Sequence, residues 1–154
     1  MKKATRATRF LEKKKIPFSL IAYDHKEKGA VFAAEATGFP LEKTTKTLVV
    51  HLENGQHVLV LMPGDQELSL KKIAGICDVK RAQMADSKTA ERISGYLVGG
   101  ISPFGFRKNL PVYMEKSLSD YDRVVINAGQ RGLMLQMNPA DILHTLKGRL
   151  FQNS

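Results

Sequence analysis

Apolar positions along this chain change period every few residues, from helical spacing to the alternation and short runs of strands. Ala4, Ala7, Phe10 and Leu11 recur at helical spacing among Lys, Arg and Thr, and Pro17 ends that helix. F-S-L-I-A-Y at 18–23 predicts a strand, and Asp24 to Gly29 a charged loop. Val31 to Thr37 predicts an Ala-rich helix stopped by Gly38 and Pro40. K-T-L-V-V-H-L at 46–52 is rich in strand-forming residues. Asn54-Gly55 then predicts a type I′ hairpin turn, with Gln56–Met62 as the return strand and Pro63-Gly64-Asp65 breaking it.

The second half follows the same rules. Ser69 opens a short helix with Leu70, Ile73 and Ala74 on one side, and 79–84 is a brief basic segment. Asp86 or Ser87 caps a helix through Ile93. Tyr96–Val98 reads as a short strand before the glycines of G-Y-L-V-G-G-I-S-P-F-G at 95–105. Val112–Met114 and Arg123–Asn127 follow as strands, Asn127–Gly132 as a long polar connection, and Leu133–Met137 as a strand. Asn138-Pro139 starts a last helix whose apolar face is Ile142, Leu143 and Leu146. The hairpin argues against a purely parallel sheet. The expectation is one mixed α/β (α+β) domain over 1–154, with a closed or strongly curved sheet.

Hydrophobic residues at 43% in 154 residues place the chain among folded proteins with a real core. The formal net charge of +9 favours an anionic partner. Lys13–Lys15, Lys71-Lys72, Lys80-Arg81 and Arg107-Lys108 are spread along the chain, so a phosphate-tracking surface requires several to meet on one side. One cysteine, Cys77 in a mostly apolar stretch, excludes an intrachain disulfide and reads as a core residue. No secretory segment precedes the first helix and no run approaches membrane-spanning length, so a cytoplasmic protein without membrane contact is expected.

Metal chemistry has little support: His25, His51, His57 and His144 lack zinc-helix spacing, and one cysteine builds no sulfur site. His51 and His57 flank the hairpin and can face each other. No G-x-S-x-G elbow, Walker lysine or dinucleotide fingerprint is present. Two features remain. Gly99 and Gly100 allow positive φ and close backbone approach, and the N–H groups around Ser102 can hold an anion or a carbonyl oxygen; a purely structural turn is the equal alternative. Lys46 stands at a strand entrance, where its ammonium can reach a cavity or simply be solvated.

The order of these features resembles the YbaK/EbsC family of aminoacyl-tRNA deacylases. The matching segments are I-P-F at 16–18, Y-D-H at 23–25, K-T-L-V-V at 46–50, the Asn-Gly hairpin, L-K-K at 70–72, M-A-D at 84–86, G-Y-L-V-G-G-I-S-P at 95–103 and R-G-L at 131–133. The resemblance implies a single domain with a barrel-like, largely antiparallel mixed sheet surrounded by short helices. It implies removal of wrong amino acids from tRNA, with the free-standing Cys-tRNA(Pro) deacylases as the nearest subgroup and no cofactor or metal. Lys46 matches the family's critical lysine, and Gly99, Gly100 and Ser102 join it as catalytic candidates through backbone N–H groups near the ester. Tyr23, Phe32, Thr47, Pro103, Asn127, Gly129 and Met134 fall on the substrate side. Asn127 and Met134 depart from the serine and the small polar or acidic residue common in relatives. The implied partners are mischarged tRNA(Pro) and, transiently, prolyl-tRNA synthetase, with no DNA. Within the resemblance, cysteine leaves by attack of its own sulfur on the ester. Release of alanine or another small amino acid by activated water, and a noncatalytic tRNA- or synthetase-binding module, are the alternatives.

Overall fold

The computed structural model describes residues 4–24 and 29–154, so His25 and most of the predicted charged loop lie outside the described residues. Helix α1 (Arg6–Lys13) begins with a capping box, in which Thr5 and Thr8 each accept the other's backbone N–H. The Thr5 hydroxyl also donates to the Ala128 carbonyl at 2.6 Å, fixing the helix start to a distant strand.

Two sheets follow from the strand pattern. In the first, β1 (Ser19–Ala22) pairs with β7 (Leu133–Met137), which pairs with β6 (Val124–Gln130), both antiparallel. In the second, the order is β4-β2-β3-β5-β8, built from β2 (Thr45–Leu52), β3 (His57–Pro63), β4 (Ala82–Met84), β5 (Val112–Glu115) and β8 (Arg149–Phe151). Strand β2 is antiparallel to β3 and β4, whereas β3, β5 and β8 run parallel.

The expected barrel is not there: neither sheet closes. Among the described residues a single bridge, Thr44 to Val125, links the two sheets. Closure would need β2 paired along its whole outer edge, but β4 is short and covers only Val50–Leu52. At the far side, β8 ends the second sheet.

Alternation along β2 and β3 separates two apolar layers. Val49, Leu59 and Leu61 pack with Phe104, Ile126 and Leu135 between the sheets. Val50, Leu52, Val58, Val60 and Met62 pack with Ile73 of α3 (Leu70–Ile76) on the other face. Strand β3 is buried on both faces, which explains its unbroken apolar run. Cys77 lies against this second layer, as its sequence context predicts.

Local chemistry sets the remaining boundaries. Asp86 caps α4 (Ser87–Ser94), and Asn138 caps α5 (Pro139–Thr145). The hairpin is not type I′: Gly55 alone has positive φ, and Leu52 N–H meets Gln56 O across a three-residue loop. Tyr96–Val98 is not a strand, because Gly95 ends α4 in the left-handed conformation and the chain turns at once. Asn127–Gly132 is not a long connection either. Strand β6 runs on to Gln130 through a bulge, leaving Arg131-Gly132 as the turn.

Candidate functional site

The opening between the two sheets holds a cavity of about 250 Å³. Its position follows from β2. The hairpin bonds place the Leu52 N–H toward β3, so by alternation residues 45, 47, 49 and 51 direct their backbone groups to the other edge. Val49 O accepts from Ala85 N–H there, and Thr44 bridges to β6, but the stretch between is covered by neither strand. The cavity lies against this stretch, lined by Thr44 through Leu48. Helix α2 (Ala30–Thr37) contributes Ala30 and Ala33, and β6 and β7 contribute Asn127 and Met134.

Thr45 and Thr47 share one face of β2, and both side-chain oxygens are buried without a hydrogen-bond partner among the described residues. Thr45 is only 5% exposed. A buried hydroxyl left unpaired destabilises a protein by about 1–3 kcal/mol, so these two atoms mark a local deficit in the wall of the cavity. Lys46, on the opposite face beside Met62, lines the cavity as well. Its ammonium donates to the Gln66 carbonyl at 2.6 Å, which leaves two of its three donors for another acceptor.

Residues 97–101 form the facing wall, held by the Glu91 carboxylate, which accepts the Val98 N–H at 2.8 Å, and by Asn127 and Arg131. Asn127 accepts the N–H groups of Gly129 and Gln130 at 2.8 and 3.2 Å and donates to Gly99 O at 3.1 Å. Arg131 donates through Nε and Nη2 to Val98 O at 3.1 and 2.8 Å. The Arg131 side chain lies where a Cβ on Gly99 would sit, and Gly99 has φ +94°, so only glycine fits. Gly100 packs directly on the Gln130–Arg131 backbone, and its N–H is used by Leu97 O.

The cavity thus brings together Tyr23, Lys46, Thr47, Gly99, Asn127 and Met134. Phe32 stands behind Tyr23, with ring centroids 6.2 Å apart. Ser102 is fully buried in the loop and accepts the Phe104 N–H at 3.3 Å. Gly129 sits against the Tyr96 ring, and Pro103 lines a different pocket beside Phe10. Thr45 and Arg131 were not singled out by sequence reasoning. The signals were available: Thr45 shares its strand face with Thr47, and Arg131 opens the R-G-L segment.

Among the described residues the lining carries two cations, Lys46 and Arg131, and no carboxylate, cysteine, serine or histidine. Burial raises the Tyr23 phenol above its ordinary value, opposed by a backbone contact with Gly132, so it remains a neutral hydroxyl near pH 7. Such a cavity favours a substrate that develops negative charge.

The aminoacyl-tRNA editing domain family matches residues 26–145. The candidate Cys-tRNA(Pro)/Cys-tRNA(Cys) deacylase EbsC of Enterococcus faecalis is 33% identical over 94% of this chain and 90% of its own length. The multifunctional Ser/Thr-tRNA deacylase ProXp-y of Escherichia coli is 29% identical over 76% of this chain and 72% of its own. The solved structure of a candidate trans-editing enzyme for prolyl tRNA synthetase superimposes with a TM-score of 0.87 at 23% identity, covering 96% of this chain and 93% of that one. The chain belongs to the aminoacyl-tRNA editing domain family and is an aminoacyl-tRNA deacylase of the YbaK/EbsC group.

Proposed function

We propose that this deacylase clears Cys-tRNA(Pro) in trans, and that the editing domain occupies residues 1–154. The observation that carries the mechanism is the pair of cations on the cavity lining, Lys46 and Arg131, placed where negative charge develops at the ester. The relative named for Cys-tRNA(Pro) and Cys-tRNA(Cys), similar along nearly its whole length, supports the substrate.

The terminal adenosine and its ester enter between β2 and the 97–101 loop. The substrate's own thiolate attacks the ester carbonyl, so a C–S bond forms and the carbonyl becomes an oxyanion. The oxyanion collapses, the bond to the ribose oxygen breaks, and that oxygen takes up, through water, the proton that the thiol released. The products are free tRNA and a cyclic thiolactone. Lys46 offsets the negative charge, and the positive potential of Lys46 and Arg131 favours the thiolate over the thiol. Gly99 and the loop around Gly100 and Ser102 hold the ester in place, with Asn127 and Gly129 fixing that loop from behind. Tyr23, backed by Phe32, and Thr47 and Met134 enclose the aminoacyl group, and Pro103 stiffens the loop. Cys77 takes no part, since it lies in the second apolar layer.

The partners are tRNA(Pro) and, transiently, prolyl-tRNA synthetase, in the cytoplasm. Among the described residues no helix is long and apolar enough to cross a membrane. The relative named for Ser- and Thr-tRNA favours a second reading, hydrolysis of a small hydroxyl-bearing aminoacyl ester by water, with the alanyl ester as the other small substrate to compare.

The test is deacylation of Cys-, Ala-, Ser- and Pro-tRNA(Pro) by wild type and a folded Lys46→Ala variant. The expected result is selective loss of the cysteinyl ester, with a thiolactone-derived product, slowed about 10²–10³-fold by Lys46→Ala. Faster turnover of seryl or alanyl esters with free amino acid as first product establishes the second reading. Wild-type rates in Lys46→Ala overturn the role given to Lys46.

A further inference from the structure

A second concavity, of about 460 Å³, lies between α3 and β4. Lys71 stands on one wall and Lys80 and Arg81 on the other, all exposed. None of the three side chains makes a hydrogen bond or ion pair among the described residues. Leu70 and Ala74 supply an apolar part of the surface, and among the described residues the one ring lining it is the imidazole of His51 and the one acid is Glu53 at the hairpin. Lys71, from one sequence cluster, therefore meets Lys80 and Arg81, from another, across one groove. The positive field continues round the hairpin, where Lys108 and Arg92 help hold His57 below its ordinary imidazole value after burial and His51.

The groove and the cavity share a strand. His51, which lines the groove, is ~13 Å along β2 from Thr47, which lines the cavity. A nucleic acid whose 3′ end occupies the cavity must leave it over the surface with its phosphates exposed. Cations on both walls, with no Phe, Tyr or Trp among the described lining residues, suit a sugar–phosphate backbone held by charge.

We propose that the groove between α3 and β4 binds the phosphates of the tRNA whose aminoacylated end occupies the cavity, an inference that rests on the deacylase reading. Lys71, Lys80 and Arg81 hold the backbone by charge and leave the choice of amino acid to the cavity. Affinity for tRNA and chemistry at the ester are then separable properties of the two ends of β2.

The experiment compares wild type with Lys80→Glu/Arg81→Glu and with Lys13→Glu/Lys14→Glu, which makes the same charge change at the end of α1. Each is assayed on Cys-tRNA(Pro) and on the cysteinyl ester of adenosine, across a salt series, with tRNA binding measured by filter retention. The groove variant is expected to raise KM for the tRNA at least tenfold. It should also lower the salt slope of kcat/KM by roughly 1.4, about 0.7 for each phosphate no longer neutralised. It should cleave the adenosine ester at the wild-type rate, and the α1 variant should match wild type on both. Equal tRNA binding and salt slope in the two variants overturn the groove, as does parallel loss of adenosine-ester cleavage in the groove variant. If wild type cleaves neither ester, the cysteine-substrate reading falls, while the filter-binding arm still decides whether the groove holds tRNA.

Discussion

The two halves of β2 differ in how completely their polar groups are used. Val50 to Leu52 are paired on both edges, by β3 and β4, and the side chains of Val50 and Leu52 complete a buried apolar layer. Thr45 to Leu48 are paired with β3 alone, and the hydroxyls of Thr45 and Thr47 are buried without partners. A single strand thus holds the fold at one end and leaves hydrogen-bonding capacity open at the other. Functional sites commonly keep such local deficits because the surrounding structure carries them.

Leu52→Ala tests the structural half most severely. Leu52 is 2% exposed, and its truncation should reduce stability by about 3 kcal/mol, lowering Tm by about 10 °C. The deacylation rate per folded molecule should stay at the wild-type value. A fall in kcat with an unchanged Tm would erase the distinction between the halves.

Gly129→Ala tests the support behind the open half. Gly129 has φ +97°, and an added Cβ would lie 2.7 Å from the Tyr96 ring. That ring cannot swing away freely, because the Tyr96 hydroxyl donates to the Phe104 carbonyl, and burial pushes its phenol up to about 12. The expected loss is about 2 kcal/mol by denaturant unfolding, together with weaker substrate binding as the Asn127 contacts loosen. Wild-type stability would mean that the bulge relaxes without disturbing the loop.

Thr45→Val goes to the centre of the comparison. Removing an unpaired buried hydroxyl in favour of a methyl group should raise stability by about 1 kcal/mol. The same change should reduce kcat/KM about tenfold if the hydroxyl bonds to substrate. Thermal unfolding and single-turnover deacylation of one sample separate the two effects. A destabilised variant with wild-type activity would show that Thr45 serves packing alone.

Much of this was legible in the sequence, for identifiable reasons. Lys46, Thr47 and Gly99 were singled out through the family resemblance, because a strand-entrance lysine and paired glycines in a turn each have a plain structural alternative; the structure places all three on one cavity. Caps such as Ser69, Asp86 and Asn138 were readable because their hydrogen bonds are local. Closure of the sheet was not, since it depends on how much of β2 a short edge strand covers, a long-range fact. Strand β8 was missed because its pairing partner β5 lies far away in the chain. Arg131 was missed as a wall residue because its contacts with the carbonyl of Val98 span 33 positions. The meeting of Lys71 with Lys80 and Arg81 likewise exists only after α3 folds against β4.

His57, at the closed end of the hairpin, should give the smallest effect. Burial, then the charges of His51, Lys108 and Arg92, hold its imidazole below the ordinary value of 6.5. The unfolded chain therefore binds a proton more readily than the folded one, so stability rises with pH across this window. Stability should be full above about pH 7 and decline as pH falls through 6.5 toward the lowered folded value. His51 Nδ1 and His57 Nε2 lie 3.1 Å apart, a contact that needs one neutral ring. Replacement by glutamine keeps a hydrogen-bonding side chain but removes the titration. Urea midpoints from pH 8 to pH 5 should accordingly fall less steeply in His57→Gln than in wild type. Because this ring sits away from the cavity, the pH profile of single-turnover deacylation should be the same in both proteins. A changed rate profile would mean that the closed half of β2 takes part in the chemistry after all.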